Sequence, residues 1–271
     1  MRIRALLLCV TAIVFLVPSS ASAEPTWAPA DQAAIHPGVQ TFTDGGQCTS
    51  NFVFFDANND VYIGQAAHCA GTGGATETDG CDSGSLPLGT RVEVDGATAP
   101  GTLVYSSWLT MQKNNESDQE TCAYNDFALI KLDPTDYGKV NPSIPFFGGP
   151  NALGASSSFG DKVYSYGNSG LRFGLSPLSP KEGYSLGQTP DGWSHDVYTA
   201  TPGIFGDSGS AFLSKSGAAL GTLSTVAILP FPASNGVGDL AREFDYAVRF
   251  GGINGLQLAL GTEAFTGGLT P

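Results

Sequence analysis

The pentapeptide Gly206-Asp207-Ser208-Gly209-Ser210 places a serine between glycines and directly after an acidic residue. Glycines allow the backbone conformations of a tight turn, so this pattern predicts a turn that exposes the hydroxyl of Ser208. In such a turn, nearby backbone N–H groups can face a reacting carbon. Glycine, serine and aspartate are also frequent in ordinary turns, so the pattern takes its meaning from two stretches upstream.

These two stretches supply the residue types that a serine nucleophile needs. Gln65-Ala66-Ala67-His68-Cys69 contains a histidine, whose imidazole titrates near neutrality and can take up and return a proton. Tyr124-Asn125-Asp126 precedes the apolar run Phe127-Ala128-Leu129-Ile130, which places a carboxylate at the start of a buried strand. His68, Asp126 and Ser208 therefore offer a base, a carboxylate to orient it and a nucleophile.

At these three segments the sequence resembles the trypsin-like (chymotrypsin-fold) serine proteases, and among them the bacterial secreted type. The resemblance implies an all-β fold of two packed antiparallel six-stranded β-barrels, with the active site in the cleft between them. It implies that Ser208 is the nucleophile, His68 the general base and acid, and Asp126 the residue that orients the histidine. The backbone N–H groups of Gly206 and Ser208 would form the oxyanion hole.

The resemblance also implies an internal partner for Asp207. Animal enzymes of this family pair the equivalent aspartate with a new N-terminus that begins Ile-Val-Gly-Gly, and the sequence contains no such stretch. We therefore expect an internal arginine in this role, as in bacterial members, and Arg172 is the candidate.

The substrate pocket implied by the resemblance includes Pro202 and the stretch Ser224-Thr225-Val226. Pro202 lies six residues before Ser208, where a carboxylate would select Lys or Arg, and it provides none. Val226 lies where a glycine commonly keeps the pocket open. These two positions predict a narrowed pocket for small or medium apolar side chains.

The chain contains five cysteines, one of which, Cys9, lies in the N-terminal apolar run. The other four form an even set that predicts two disulfides with three possible pairings in an exported protein. The resemblance implies the pair Cys48–Cys69, which braces the histidine loop, and with it the pair Cys81–Cys122. The absence of a CxxC motif and the presence of only three histidines argue against a zinc site. We expect no metal and no cofactor.

Residues 1–23 have the features of a signal peptide: Arg2 and Arg4, an apolar stretch, and the small residues Ala21-Ser22-Ala23. They predict a secreted, extracellular protein that is not held at a membrane after cleavage. The formal net charge of −13 repels nucleic acid and anionic lipid. We expect a monomer whose partner is a peptide or protein substrate.

Short apolar stretches between glycine- and proline-containing turns predict an all-β chain. We divide it into an N-terminal arm (24–47), a first barrel with His68 and Asp126 (48–145) and a second barrel with Ser208 (146–271). At finer detail, we predict a surface loop over 111–121, a strand over 244–250 and a short helical turn within 255–261.

The sequence thus predicts a secreted serine endopeptidase that hydrolyses peptide bonds through an acyl-enzyme on Ser208. The alternative is a non-catalytic trypsin-like homologue that acts as an extracellular binding protein. Loss of a triad residue usually marks such homologues, and His68, Asp126 and Ser208 are all present.

Overall fold

The computed structural model describes residues 24–74, 78–154, 156–226 and 232–268. The predicted signal peptide, residues 1–23, lies outside these ranges. The strands within them are β1 (Gln40–Thr43), β2 (Gly46–Thr49), β3 (Val53–Phe55), β4 (Val61–Gln65), β5 (Arg91–Val94), β6 (Gly101–Ser106), β7 (Ala128–Lys131), β8 (Lys162–Tyr166), β9 (Pro180–Gln188), β10 (Ser194–Thr199), β11 (Ala211–Ser214), β12 (Ala219–Val226), β13 (Asn235–Asp239) and β14 (Gln257–Leu258). The α-helices are α1 (Ser107–Asn114), α2 (Gln119–Tyr124) and α3 (Leu240–Phe250). Within the described ranges, none of these helices has the length and apolar character that a bilayer crossing requires.

The first sheet contains eight antiparallel strands in the order β14-β3-β4-β7-β6-β5-β1-β2. Its central strands are rich in aromatic and β-branched residues, which pack well on a pleated surface. In the register of β4 and β7, Ile63 lies opposite Ile130, and both side chains are fully buried. Such pairs fill an apolar core on the concave side of the curled sheet.

The second sheet closes into a six-stranded barrel in the order β10-β13-β12-β11-β8-β9. Its interior holds a compact set of buried apolar side chains from five strands: Val163, Val197, Phe212, Leu220, Leu223 and Val237. Closure gives every strand two hydrogen-bonded neighbours, so the barrel is a stable support for the turns that leave it.

A shared apolar cluster joins the two halves. The ring centroids of Phe54 and Phe127 in the first half lie 5.4 Å apart, and the same cluster contains Leu213 of the barrel. Phe54 also stacks on Phe244 of α3 at 5.7 Å. Burial of one phenylalanine side chain stabilises a fold by about 1.5–3 kcal/mol. This cluster therefore fixes the relative position of the halves and of the residues at their junction.

The predicted all-β fold of two packed barrels is confirmed, with a difference in the first half. The first half contains eight described strands where six were predicted, and its sheet is curled without closing. The additional strands lie outside the predicted bounds 48–145. Strand β1 falls in the predicted arm, where Thr41 and Thr43 point inward in the alternation typical of a strand, and β14 pairs with β3 from near the C-terminus. The bounds of the arm and the division at residue 146 stay predictions, with β1 lying inside the predicted arm.

Three local predictions are wrong. Residues 111–121, predicted as a loop, lie largely in α1 and α2. Residues 244–250, predicted as a strand, lie in α3, and residues 255–261, predicted as a helical turn, contain β14.

Helix α3 forms because two local signals favour it over a strand. The carboxylate of Asp239 accepts a hydrogen bond from the backbone N–H of Arg242 at 3.0 Å and so caps the helix N-terminus. Leu240, Phe244 and Ala247 are buried and follow the spacing of one helical face.

Candidate active site

His68 lies in a short 3-10 turn, Ala67–Ala70, directly after β4. Its backbone N–H donates to Asp126 Oδ1 at 2.8 Å, and its ring Nδ1 donates to Asp126 Oδ2 at 2.6 Å. A carboxylate only accepts hydrogen bonds, so this contact places the ring proton on Nδ1. Nε2 is then an acceptor that no described residue hydrogen-bonds, and a quarter of the His68 side chain is exposed.

Asp126 lies between α2 and β7, and only 4 % of its side chain is exposed. Besides His68, the hydroxyl of Ser224 donates to its Oδ2 at 2.5 Å. Burial raises the pKa of Asp126, but the charge and hydrogen bonds of His68 and the hydrogen bond of Ser224 outweigh it, and the net pKa is lowered. Burial likewise lowers the pKa of His68, and the nearby Asp126 carboxylate turns the net shift upward. The pair is thus arranged to keep Asp126 ionised and to stabilise a protonated imidazole.

Ser208 lies on a turn of the second half that packs directly against the first sheet. Its carbonyl accepts a hydrogen bond from the backbone N–H of Thr49 at 2.8 Å. The next residue, Gly209, has φ +86°, and a Cβ there would lie 2.6 Å from Thr49 O and 2.8 Å from Ala66 N. Only a glycine therefore lets this turn approach the strand that leads to His68.

The hydroxyl of Ser208 forms no hydrogen bond with any described residue, His68 included. Its turn is nevertheless tied to the other two residues through β12. The N–H of Gly209 donates to the Leu223 carbonyl at 2.7 Å, and the following Ser224 holds Asp126. The structure thus brings His68 and Asp126 into contact and places Ser208 at the same junction, while the final hydrogen bond of the predicted triad stays a prediction. Such bonds are often loose without substrate.

The predicted oxyanion hole consists of the N–H groups of two peptides. The carbonyl group of each of these peptides accepts a hydrogen bond on the opposite side. The N–H groups of Gly206 and Ser208 have no acceptor among the described residues. The Phe205 carbonyl, on the same peptide as the Gly206 N–H, accepts from the hydroxyl of Ser169 at 2.5 Å. The Asp207 carbonyl, on the same peptide as the Ser208 N–H, accepts from Ser210 N–H at 3.0 Å. In a trans peptide the N–H points opposite to its carbonyl, so both contacts aim the N–H groups.

Asp207 is fully buried and carries the charge that holds this turn. Its Oδ2 accepts from Arg172 Nη2 at 2.6 Å and from Lys181 Nζ at 3.1 Å, and its Oδ1 accepts from the Ser169 N–H at 3.0 Å. The predicted pairing with Arg172 is confirmed. Lys181, also fully buried, was not found from the sequence, and burial lowers its pKa while Asp207 opposes that shift.

Glu243 is a second residue that the sequence analysis missed. It lies in the first turn of α3, is fully buried, and accepts the backbone N–H of Asp126 through Oε1 at 3.2 Å. Burial, followed by the charge of Asp126, raises its pKa well above the ordinary value of 4.5. A signal existed, because Glu243 shares the apolar face with Leu240 and Ala247 once residues 240–250 are recognised as a helix.

The predicted substrate-side residues lie beside this turn. The Pro202 carbonyl accepts from Arg172 Nη2 at 2.8 Å, and Ser224 holds Asp126. The Thr225 carbonyl accepts from the side chain of Asn235, and Val226 is 50 % exposed. Their role in substrate binding stays a prediction.

Both predicted disulfides, Cys48–Cys69 and Cys81–Cys122, are confirmed. The first ties β2 to the turn of His68. Two groups of potential metal ligands lie close together in the described part of the chain: Cys48, His68 and Cys69, and Asp79, Cys81 and Cys122. In each group the two sulfurs are joined to one another, so neither is a thiolate that could bind a metal.

His195 forms a different Ser-His-Asp contact inside the barrel. Its Nε2 lies 2.9 Å from Asp239 Oδ2, and its Nδ1 lies 2.8 Å from the hydroxyl of Ser157. The imidazole is fully buried, so no substrate reaches it. This network links strands β10 and β13 to the start of α3 and does not compete with His68 as a base.

No protein-family model matches the chain, and no curated protein sequence matches it. Solved structures do. Protease A of Thermobifida fusca matches with a TM-score of 0.53 at 16 % identity, over 84 % of this chain and 100 % of that one. A Nocardiopsis protease matches with a TM-score of 0.50 at 18 % identity, over 83 % and 98 %. At these identities the similarity shows the fold alone. The chain has the two-barrel chymotrypsin fold of bacterial serine proteases.

Proposed function

We propose that this chain is a secreted serine endopeptidase that hydrolyses peptide bonds through an acyl-enzyme on Ser208. The observation that carries the proposal is the contact between His68 and Asp126. These residues lie 58 positions apart and pair at 2.6 Å through Nδ1, which leaves Nε2 of the imidazole without a hydrogen bond to any described residue. The backbone N–H groups of Gly206 and Ser208 on the adjacent turn, which have no acceptor in the described part of the chain, support it.

In the proposed reaction, Nε2 of His68 removes the hydroxyl proton of Ser208 as Oγ attacks the substrate carbonyl carbon. The negative charge that develops on the carbonyl oxygen is stabilised by the N–H groups of Gly206 and Ser208. The imidazolium, stabilised by Asp126, then gives its proton to the leaving amine and the peptide C–N bond breaks. Water attacks the resulting ester, its proton passes to His68 and then to Ser208 Oγ, and the carboxylic acid leaves.

Secretion is part of the proposal and rests on two features. The features of a signal peptide in residues 1–23 predict export. The two disulfides favour an oxidising compartment, where such bonds persist. The partner is a peptide or protein substrate, and the proposed reaction uses no cofactor.

A serine-directed fluorophosphonate tests the reaction. We expect it to label the chain beginning at residue 24 once per molecule, at Ser208 by mass spectrometry, and to leave the Ser208→Ala variant unlabelled. The matched control is Ser176→Ala, which removes another exposed serine hydroxyl and should label like the wild type. An unlabelled wild type would favour the non-catalytic binding protein and contradict the proposal.

A further inference from the structure

Two backbone segments lie beside the turn that carries Ser208, and we call the space between them the slot. One is residues 202–206, which lead into the nucleophile turn, and the other is the end of β12, Ser224–Val226. One edge of this β12 segment pairs with β13, where Thr225 lies opposite Gly236 and Val226 opposite Asn235. Among the described residues, its other edge has no strand partner beyond Leu223, the last residue bonded to the nucleophile turn. An extended peptide can therefore add to this edge as a further strand.

The position of an acyl group follows from the proposed reaction. With its carbonyl carbon at Ser208 and its oxygen at the two N–H groups, the acylated residue lies next to both segments. The chain on its N-terminal side can pair with the open edge of Ser224–Val226. The side chain of the acylated residue then enters the slot between Ser224–Val226 and residues 202–206.

The side chain of Asn235 already spans this slot. Its Oδ1 accepts from the Gly203 N–H at 2.8 Å, while its Nδ2 donates to the Gly203 carbonyl at 3.3 Å and to the Thr225 carbonyl at 3.3 Å. Asn235 is fully buried, and its amide makes three of the hydrogen bonds open to it. One side chain thus joins the two walls and fixes their separation.

The Gly203 end of this bridge is closely packed. A Cβ added to Gly203 would lie 2.7 Å from Leu223 Cδ2 and 2.9 Å from Asn235 Nδ2, so the backbone of Gly203 lies against both side chains without room for a Cβ of its own. A large substrate side chain would have to displace the Asn235 amide and leave the Gly203 N–H without its partner. Among the described residues that flank the slot, residues 202–206, Ser224–Val226 and Asn235 include no carboxylate for a lysine or arginine side chain.

We infer that Asn235 closes the slot and restricts the residue before the scissile bond to glycine, alanine or serine. This inference rests on the proposed function and replaces Val226 with Asn235 as the main determinant. Val226 is half exposed and forms no bridge between the walls, whereas Asn235 contacts both.

Peptidyl diphenyl phosphonates that differ only in the side chain before phosphorus test this on the wild-type protein. We expect the alanine probe to react at least about ten-fold faster than the phenylalanine, lysine and glutamate probes. If one of these three reacts fastest while the small fluorophosphonate still labels Ser208, the inference is wrong and the proposed function stands. If the fluorophosphonate labels nothing, the proposed function fails and this inference fails with it.

The variant Asn235→Ala assigns the effect to the residue. We expect it to raise the phenylalanine-to-alanine rate ratio at least about ten-fold, because it opens the slot. Val226→Ala is the matched comparison and should change that ratio less than about three-fold. A larger change in Val226→Ala than in Asn235→Ala would overturn the assignment. If Asn235→Ala does not fold, Asn235→Ser is the alternative variant, because it removes less of the bridge. The size restriction itself is decided by the wild-type rates and needs no variant.

Discussion

Two buried aspartates lie on the two sides of the candidate site and face different partners. Asp126 in the first half contacts the imidazole of His68, and the carboxyl group of Glu243 lies behind it. Asp207 in the second half contacts two cations, Arg172 at 2.6 Å and Lys181 at 3.1 Å. Both carboxylates are almost inaccessible to water, so their surroundings alone distinguish them.

The difference separates two uses of a buried charge. In the resting protein the negative charge of Asp207 is balanced by Arg172 and Lys181. Removal of that charge would leave two buried cations without their common partner. Asp126 faces a histidine that is neutral until it takes a proton, so its attraction to His68 is greatest while the imidazole is protonated. We therefore expect Asp126 to serve the reaction and Asp207 to serve the shape of the nucleophile turn.

Replacement of Asp126 should separate activity from stability. In Asp126→Asn we expect kcat to fall about 10⁴-fold, because the imidazole loses its orienting acceptor and its counter-charge. Peptide turnover measures this, and urea unfolding in parallel should show a smaller loss of stability than Asp207→Asn shows. If the variant keeps a tenth of the wild-type kcat, Asp126 does not have the proposed role in the reaction.

Replacement of Asp207 should act mainly on stability. In Asp207→Asn we expect the free energy of unfolding to fall by about 3–5 kcal/mol, because Lys181 and Arg172 are left as uncompensated buried charges. The measurement is urea unfolding. The control is Asp161→Asn, which breaks the exposed ion pair with Lys215 and should cost less than about 1 kcal/mol. Equal losses in the two variants would show that Asp207 does not hold the fold.

The link from the Asp207 region to the reaction can be tested at Ser169. Its hydroxyl holds the Phe205 carbonyl and so aims the Gly206 N–H. Loss of an oxyanion donor costs about 10²–10³ in kcat. In Ser169→Ala the donor stays but is less firmly aimed, so we expect a loss of about ten-fold in kcat with KM little changed. Steady-state kinetics beside the Ser176→Ala control measure this, and an unaltered kcat would contradict the role of Ser169.

Glu243 should make stability on the Asp126 side depend on pH. Its folded pKa is raised above 4.5, so above that pH the unfolded chain releases the proton while the folded chain keeps it. Rising pH therefore favours unfolding by about 1.4 kcal/mol per pH unit until the folded pKa is reached. We expect Glu243→Gln, which stays neutral, to lack this decline.

Urea unfolding at intervals from about pH 5 to 7 measures the effect of Glu243. The exposed Glu93→Gln variant is the control and should follow the wild type. Parallel pH curves for the wild type and Glu243→Gln would mean that Glu243 is ionised in the folded protein.

Those features of the fold and the site that short sequence motifs mark could be predicted from the sequence. The fold, the pairing of His68 with Asp126, the role of Arg172 and both disulfides followed from local stretches that resemble one family. The fourteen described strands and the open first sheet did not follow, because strand pairing such as that of β14 with β3 depends on distant parts of the chain.

The functional residues that could not be predicted from the sequence have one physical feature in common. Lys181, Asn235 and Glu243 act through contacts with residues far along the chain, and no local motif marks such contacts. For Glu243 the error had a further source. Residues 244–250 alternate enough in polarity to suggest a strand, and the Asp239 cap that turns them into a helix precedes them.

The most direct test of the account is whether His68 and Ser208 act as one unit. Peptide turnover should be measured for His68→Ala, Ser208→Ala and the double variant. We predict that each single change lowers kcat about 10⁶-fold and that the double variant is no slower than either single variant. A double variant whose loss equals the product of the two single losses would show that the residues act independently, and would contradict the shared mechanism proposed for the two halves.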